Sequence, residues 1–440
     1  MGLENGKART PESGDKASSS TPPTGSGYET GRKRRATGIV GDYMEYSDEL
    51  PCPPIYSLWT AIHAVGAAAE RRIWTEFGQN VLHPNLFLFL VGPPGTGKSQ
   101  AINPMASMLR KSAATALAPN DLSKQGLLDS LGAASKGAVI NGQPFDYHFL
   151  AISVSEMSNF MSKYDLDMAG ILTDLFDCPP MNEEKKRTHD KGKPIAFPGL
   201  SFIMGTATQN LGNTITNEMW GSGFMARVIM IFSADDHMIE DIFRKVPVKD
   251  AIGDRITENL TALGKLVGPM TWTPDARLAL NHFKKNQKDG APLHNRLTFY
   301  VTRRWLHLAK LCMIAALSEL SMTVEERHFQ MALGWLKEAE SLMPEIFKDL
   351  NTHQDGQIFE EFRTAMYTLY MRTGIAGPLR PLHVSILYDW LSKRTAAHNV
   401  GRMIEIACAA DHFRRLAGTS GDDALYIPQV PTGPKPEGTI

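Results

Sequence analysis

The chain holds 440 residues, 42% of them hydrophobic and 21% charged, enough for two or three domains with a well-buried core. A net charge of −1 supplies no overall attraction for nucleic acid, so any such partner must be met by local basic patches. Four cysteines with no C-x-x-C pair argue against a zinc site or a disulfide framework and fit a reducing compartment. No charged-then-apolar leader opens the sequence and no apolar run approaches ~18 residues, so a cytoplasmic protein with no membrane partner is expected.

Residues 1–45 are rich in Ser, Thr, Gly and Pro and carry Arg32-Lys33-Arg34-Arg35. With too little apolar surface to offset ordering entropy, they read as a disordered basic arm. Its charge run is either simply solvated or a nucleic-acid contact. From Ile55 to Phe77, Leu58, Ile62, Val65 and Ala69 follow helical spacing and predict a helix packed on a sheet. His83-Pro84-Asn85 then breaks the chain.

The apolar run Phe87-Leu88-Phe89-Leu90-Val91 reads as a buried strand and feeds straight into Gly92-Pro93-Pro94-Gly95-Thr96-Gly97-Lys98-Ser99, a G-x-x-x-x-G-K-S pattern. Phosphate binding needs that order. Gly92, Gly95 and Gly97 let successive N–H groups point into one concavity, and the helix opening at Lys98, Ser99 and Gln100 adds its positive end beneath the same anion. Lys98 is expected to reach the β- and γ-phosphates and the Ser99 hydroxyl to coordinate Mg²⁺, which makes this a site for ATP. The helix runs to about Arg110, with Pro104 kinking it or resetting its start.

A second strand, Phe149 to Val154, ends in Ser155-Glu156. In ATPases with this kind of loop a second strand ends in an acid that holds Mg²⁺, usually followed by a glutamate that orients water. Glu156 stands in the glutamate position and Ser155 in the metal-ligand position. Beyond Asp177-Cys178-Pro179-Pro180, an Asp-Lys-Gly-Lys turn predicts a β-hairpin whose basic tip carries Arg187, His189, Lys191 and Lys193. That tip is either an ordinary charged surface or a DNA contact.

A third strand, Leu200 to Gly205, ends in Thr206-Ala207-Thr208-Gln209-Asn210, polar residues where α/β sheets bind ligands. A fourth, Val228 to Phe232, follows Gly223-Phe224-Met225-Ala226-Arg227. Strands alternating with helices make an α/β three-layer core. After Asp236 the pattern is wholly helical: Tyr300 to Leu320 carries Arg303, and Thr323-Val324-Glu325-Glu326 reads as a capping box opening a helix through Met343. Three helices and a ribbon (Phe413–Leu416 with Ala424–Ile427) close the chain in winged-helix order, where Lys393, Arg394, Arg402, Arg414 and Arg415 face DNA phosphates or a docking protein. The expected division is an arm at 1–45, an ATPase core at 46–235, a helical lid at 236–350, a winged helix at 355–428 and a tail at 429–440.

From about Ile55 to Leu350 the chain resembles the AAA+ ATPase domain of phage and mobile-element replication proteins of the primase/helicase type. The resemblance rests on Pro84-Asn85-Leu86 running into the glycine-lysine loop, on Ser155-Glu156-Met157-Ser158, on Phe176-Asp177-Cys178-Pro179 and on Gly223-Phe224-Met225-Ala226-Arg227. The order is also similar, more distantly, to MCM-like and superfamily-3 helicases. That likeness implies a ring, hexameric in those helicases, with single-stranded DNA in its pore. Lys191 and Lys193 then match the DNA-gripping tip of a hairpin, and Gln209 or its neighbour Thr208 the sensor-1 residue on the attacking water and γ-phosphate. Arg227 matches an arginine finger and Arg303 a sensor-2 arginine, both reaching the neighbouring subunit's nucleotide.

Two departures matter. Ser155 replaces the usual acid, so Mg²⁺ leans on Ser99, phosphates and water. The sequence before the core has no room for a primase, so a primase or polymerase is expected as a separate partner. The readings kept open are a ring-forming ATP-dependent DNA helicase, a replication initiator or helicase loader without processive unwinding, and a nucleotide-binding scaffold that hardly turns over.

Overall fold

A strand without a polar residue must be covered on both faces, the setting of a parallel sheet between layers of helix. The computed structural model describes residues 36–429 apart from 120, 141, 162–164, 183–194, 222, 236–248, 376 and 396. In it Phe87–Val91 (β1) is such a strand, buried at every residue. It lies within a mixed α/β fold. With β2 (Ala116–Leu117), β3 (Ser135–Ile140), β4 (Gln143–Val154), β5 (Pro198–Thr206) and β6 (Val228–Phe232) it forms one sheet in the order β6-β1-β5-β4-β2. Those five strands are parallel, and β3 runs antiparallel beside β4. β5 is buried along its whole length, and its Phe202 stacks on Phe87 with ring centroids 4.1 Å apart.

Helices α1 (Gly38–Tyr46), α2 (Pro54–Ala69) and α3 (Lys98–Ser112) pack together beside this sheet. α2 is buried from Tyr56 to Ala69, and its small residues let backbones approach closely: a Cβ on Gly66 would lie 2.4 Å from the Pro84 carbonyl. α4 (Leu166–Phe176) covers β5, and α5 (Thr298–Ser318) packs on α2 and on the turn before β6. One hydrophobic core joins all of these, reaching from Ile39 to Leu350. A second, smaller core gathers Phe362, Leu387, Leu391, Val400 and Phe413 near the end of the chain.

Several expectations are corrected. The arm does not extend to residue 45, because Ile39, Val40 and Tyr43 of α1 are wholly buried and Tyr43 donates to the Ala101 carbonyl at 2.6 Å. The helix expected to reach Phe77 stops at Ala69, since Ile73–Phe77 forms a strand between Gly268–Pro269 and Asn80–Leu82. Pro104 does not reset the next helix, which starts at Lys98 and runs through it to Ser112. The region after Asp236 is not wholly helical, since Thr271–Trp272 pairs with Thr323–Val324.

That pairing also moves the capping box. Glu325 is the cap and exchanges hydrogen bonds with His328, and the helix it opens, α6 (Glu326–Thr373), passes through Pro344 for 48 residues. A single helix therefore crosses the expected boundary between the third and fourth units. In the last segment Val384–Ser392 and Ala397–Ala409 are helices, and Leu382–His383, Leu425–Pro428 and Phe413–Arg415 form a three-stranded sheet in that order.

The α1 correction has a measurable consequence. Tyr43→Ala removes a buried aromatic ring and one hydrogen bond, and is expected to destabilise the protein by ~3–5 kcal/mol in urea unfolding. An unchanged midpoint would place α1 outside the cooperative core.

Candidate functional site

Parallel α/β sheets bind ligands beyond the carboxyl ends of their strands, and the loop after β1 emerges at that end. Gly92 has no room for a side chain: a Cβ there would lie 2.3 Å from the Ser233 carbonyl and 2.4 Å from the Tyr56 hydroxyl. Tyr56 bridges the strand ends, donating to the Val91 and Ser233 carbonyls at 2.7 and 3.0 Å. Gly97 caps α3 with φ of 75°, and a Cβ on it would lie 2.1 Å from the Pro51 carbonyl. Two glycines are thus dictated by close approach and one of them also by a left-handed backbone.

Lys98 is buried in the first turn of α3, with its ammonium turned back onto the loop. It donates to the Gly92 and Pro93 carbonyls at 3.0 and 2.8 Å and to Thr96 Oγ1 at 3.1 Å. Burial lowers its pKa, and the nearby Glu156 carboxylate raises it back. Pro94, Gly95, Ser99 and Gln100 are exposed around the concavity, and Ser155 lies half-buried at the end of β4. The hydroxyls expected to meet a metal therefore stand on separate elements at the same end. Among the described residues no group of three or more His, Cys, Asp or Glu is placed to hold a metal ion.

Glu156 follows β4, and its carboxylate accepts from Asn210 Nδ2 at 3.2 Å and from the Ser158 hydroxyl at 3.3 Å. Asn210, in the first turn of Thr208–Thr214, is therefore the residue after β5 that meets Glu156. Gln209 is exposed, and Thr208 is buried with a hydroxyl that finds no hydrogen-bond partner among the described residues. Three polar side chains in a row after a strand were the available signal; the phase of the short helix selects the third.

Arg227 and Arg303 lie elsewhere. Arg227 immediately precedes β6, level with the start of β1, and so sits at the amino end of the sheet. Strands of five residues put that end roughly 16 Å from the Lys98 loop. There Arg227 ion-pairs with Asp177 and donates to the Gly223 carbonyl at 2.8 Å, while Arg303 on α5 reaches the other Asp177 oxygen at 3.5 Å. Burial, and then the like charge of Arg227, lower the Arg303 pKa, and Asp177 raises it.

Beneath this cluster Lys310 is fully buried, donating to the Asn85 carbonyl at 2.9 Å and Oδ1 at 2.6 Å over the Phe176 ring. Beside it opens a cavity of about 640 Å³ whose walls include Arg303, Lys310, Lys284 and Asp177. His307 Nε2 donates to the Ala226 carbonyl at 3.0 Å, and burial pushes its pKa down to about 3. Arg187, His189, Lys191 and Lys193 fall outside the described residues; the hairpin expected to carry them closes at its base, where Met181–Asn182 pairs antiparallel with Ile195–Ala196.

Burial pushes the Lys310 pKa down to about 7 from 10.5, against upward pulls from Cys178 and Asp177 and with further lowering by Arg227 and Arg303. Between those values the unfolded chain holds a proton that the folded chain has lost, so this lysine makes stability rise with pH. Wild type is thus expected to gain on Lys310→Met as pH rises from about 7 to about 10. A difference in unfolding free energy that stays constant with pH would contradict the assignment.

No protein-family model matches the chain, and no curated protein matches it in sequence.

Proposed function

We propose that this chain is an ATP hydrolase that completes its site only in an oligomer, built as an AAA+ P-loop core with a C-terminal winged helix. The observation that carries the reading is the placement of the charged residues. The glycine loop, Lys98, Glu156 and Asn210 gather at the carboxyl end of the sheet, and Arg227 and Arg303 at the amino end.

In this reading the loop N–H groups and the start of α3 cradle the phosphates. Lys98, held by neutral oxygens, exchanges them for phosphate oxygens. Glu156, steadied by Asn210, accepts the proton of the attacking water as it turns onto the γ-phosphate. Mg²⁺ fits poorly as a protein-caged ion, since its candidate ligands are the hydroxyls of Ser99 and Ser155. It fits as an ion held largely by phosphates and water, whose contribution is to neutralise charge.

Hydrolysis in such sites gains ~10³ to 10⁵ in rate from an arginine at the γ-phosphate. Arg227 and Arg303 stand too far from their own loop for that role, so a second copy supplies them. The resemblance to phage and mobile-element replication proteins makes the work of this ATPase DNA unwinding in a ring. An initiator or helicase loader is the second reading, favoured by the single long helix that runs from the core into the last segment.

Lys98→Ala is expected to abolish ATP turnover, and Arg227→Ala to lower it by ~10³ or more while leaving ATP binding intact. Mixing the two inactive variants restores part of the activity, because one supplies an intact loop and the other an intact arginine. A mixture as inactive as its parts would sink the shared-site reading. Strand separation of a forked duplex, present in wild type and lost in Glu156→Gln, distinguishes a helicase from a loader that binds ATP without unwinding.

A further inference from the structure

Burial and then the charge of Arg227 lower the proton affinity of Arg303, yet both guanidiniums are held on one carboxylate. The two come from separate elements: Arg227 from the turn before β6 and Arg303 from α5. Asp177 caps the end of α4, a third element, and accepts from both. Its own position is fixed from behind, since Asn85 Nδ2 donates at 3.0 Å to the carbonyl of Phe176, the preceding residue. The Phe176 ring lies under Arg227 and Lys310.

The local charge balance is one-sided. Asp177 is the single carboxylate among the described residues lining the adjoining cavity, against Lys284 and Arg303, with Arg227 on its other side. Burial differs across the pair. Only 8% of the Arg227 side chain is accessible, against 30% for Arg303 and 51% for Asp177. Arg227 is packed, and its contact with Arg303 through Asp177 is the accessible edge. The ion pair of Arg303 is also the longer of the two, so it is the one an incoming anion displaces first.

We propose that Asp177 is a positioning residue that gathers Arg227 and Arg303 into one receptor for the γ-phosphate of the nucleotide bound by a neighbouring copy of this chain. This inference rests on the shared-site reading and adds to it a residue that touches neither nucleotide nor water. In the free subunit Asp177 offsets the repulsion and aims both side chains the same way. When subunits meet, the phosphate takes over Arg303, while Arg227 stays anchored by Asp177 and the Gly223 carbonyl. No covalent step belongs to the carboxylate.

The test compares wild type with Asp177→Asn, Asp177→Glu and Asp177→Asn combined with Arg227→Ala, measuring ATP turnover, KM and assembly with a non-hydrolysable ATP analogue. Asp177→Asn keeps the size of a half-exposed side chain, and its thermal midpoint is expected to stay near wild type. Its kcat falls ~10- to 100-fold, the scale of a misplaced catalytic group. KM changes little, because the Lys98 loop lies at the other end of the sheet, and analogue-driven assembly needs more protein. Asp177→Glu recovers part of the loss, and the combined variant is no slower than Arg227→Ala alone. Wild-type turnover or assembly that survives unchanged in Asp177→Asn overturns the role of Asp177 while leaving the shared site standing. Losses that add in the combined variant overturn it too. Wild type that neither hydrolyses ATP nor assembles with the analogue overturns the shared-site reading and this inference together.

Discussion

The buried contact between Lys310 and Asn85 fixes the relation between the two ends of the sheet. An ammonium removed from water costs several kcal/mol unless its protons are received, and here a carbonyl and a carboxamide oxygen of the same residue receive them. The carboxamide then directs its own donors to the Phe176 and Leu200 carbonyls. Four segments are joined at one residue: the entry to β1, the end of α4, the start of β5 and the middle of α5. Leu86 extends the clasp, exchanging hydrogen bonds with Ser201 at 3.1 and 3.0 Å. β1 leaves this point toward the Lys98 loop, and Asp177 leaves it toward the arginines. The Pro84-Asn85-Leu86 motif thus marks a structural clasp, and its position before the glycine loop follows from what the clasp must hold.

How much of this was legible in the sequence depends on how local each cause is. The glycine loop is local: an apolar strand, glycines where Cβ atoms would collide, and a lysine at the start of a helix stand within one short stretch. The strands β4, β5 and β6 likewise each carry an apolar run, at 149–152, 202–204 and Val228–Phe232. Their order in the sheet is not written locally, because parallel partners of β1 come from far along the chain. α1 was hidden by its surroundings, since the polar composition of the preceding arm outweighed Ile39, Val40 and Tyr43. The helix opened by the capping box was expected only through Met343, yet α6 continues through Pro344, where packing of Trp335, Leu336, Met343 and Phe347 offsets the hydrogen bond proline lacks.

The site residues divide in the same way. Lys98 and Glu156 were legible from spacing along their own elements. Asn210 was not, because Thr208, Gln209 and Asn210 are equivalent in composition and differ only in the direction set by the first turn of Thr208–Thr214. Asp177 entered the sequence reading only within Phe176-Asp177-Cys178-Pro179, with no role of its own. Its meaning appears only when Arg227 and Arg303 arrive from distant parts of the chain.

The separation of the two charge clusters also bears on Ser155. If a loop that lacks the usual acid binds its metal weakly, charge on the γ-phosphate must be offset from elsewhere, and fixed charges aimed at the transition state are the strongest means of doing so. Two guanidiniums delivered together supply more of that offset than one. In the proposed reading, a carboxylate that holds them as a pair makes up for the acid that Ser155 replaces at the end of β4. In the proposed shared-site reading, Ser155 and the Asp177 cluster are linked parts of one solution: the burden of charge passes from the strand end to a neighbouring copy's arginines, which ties turnover to assembly.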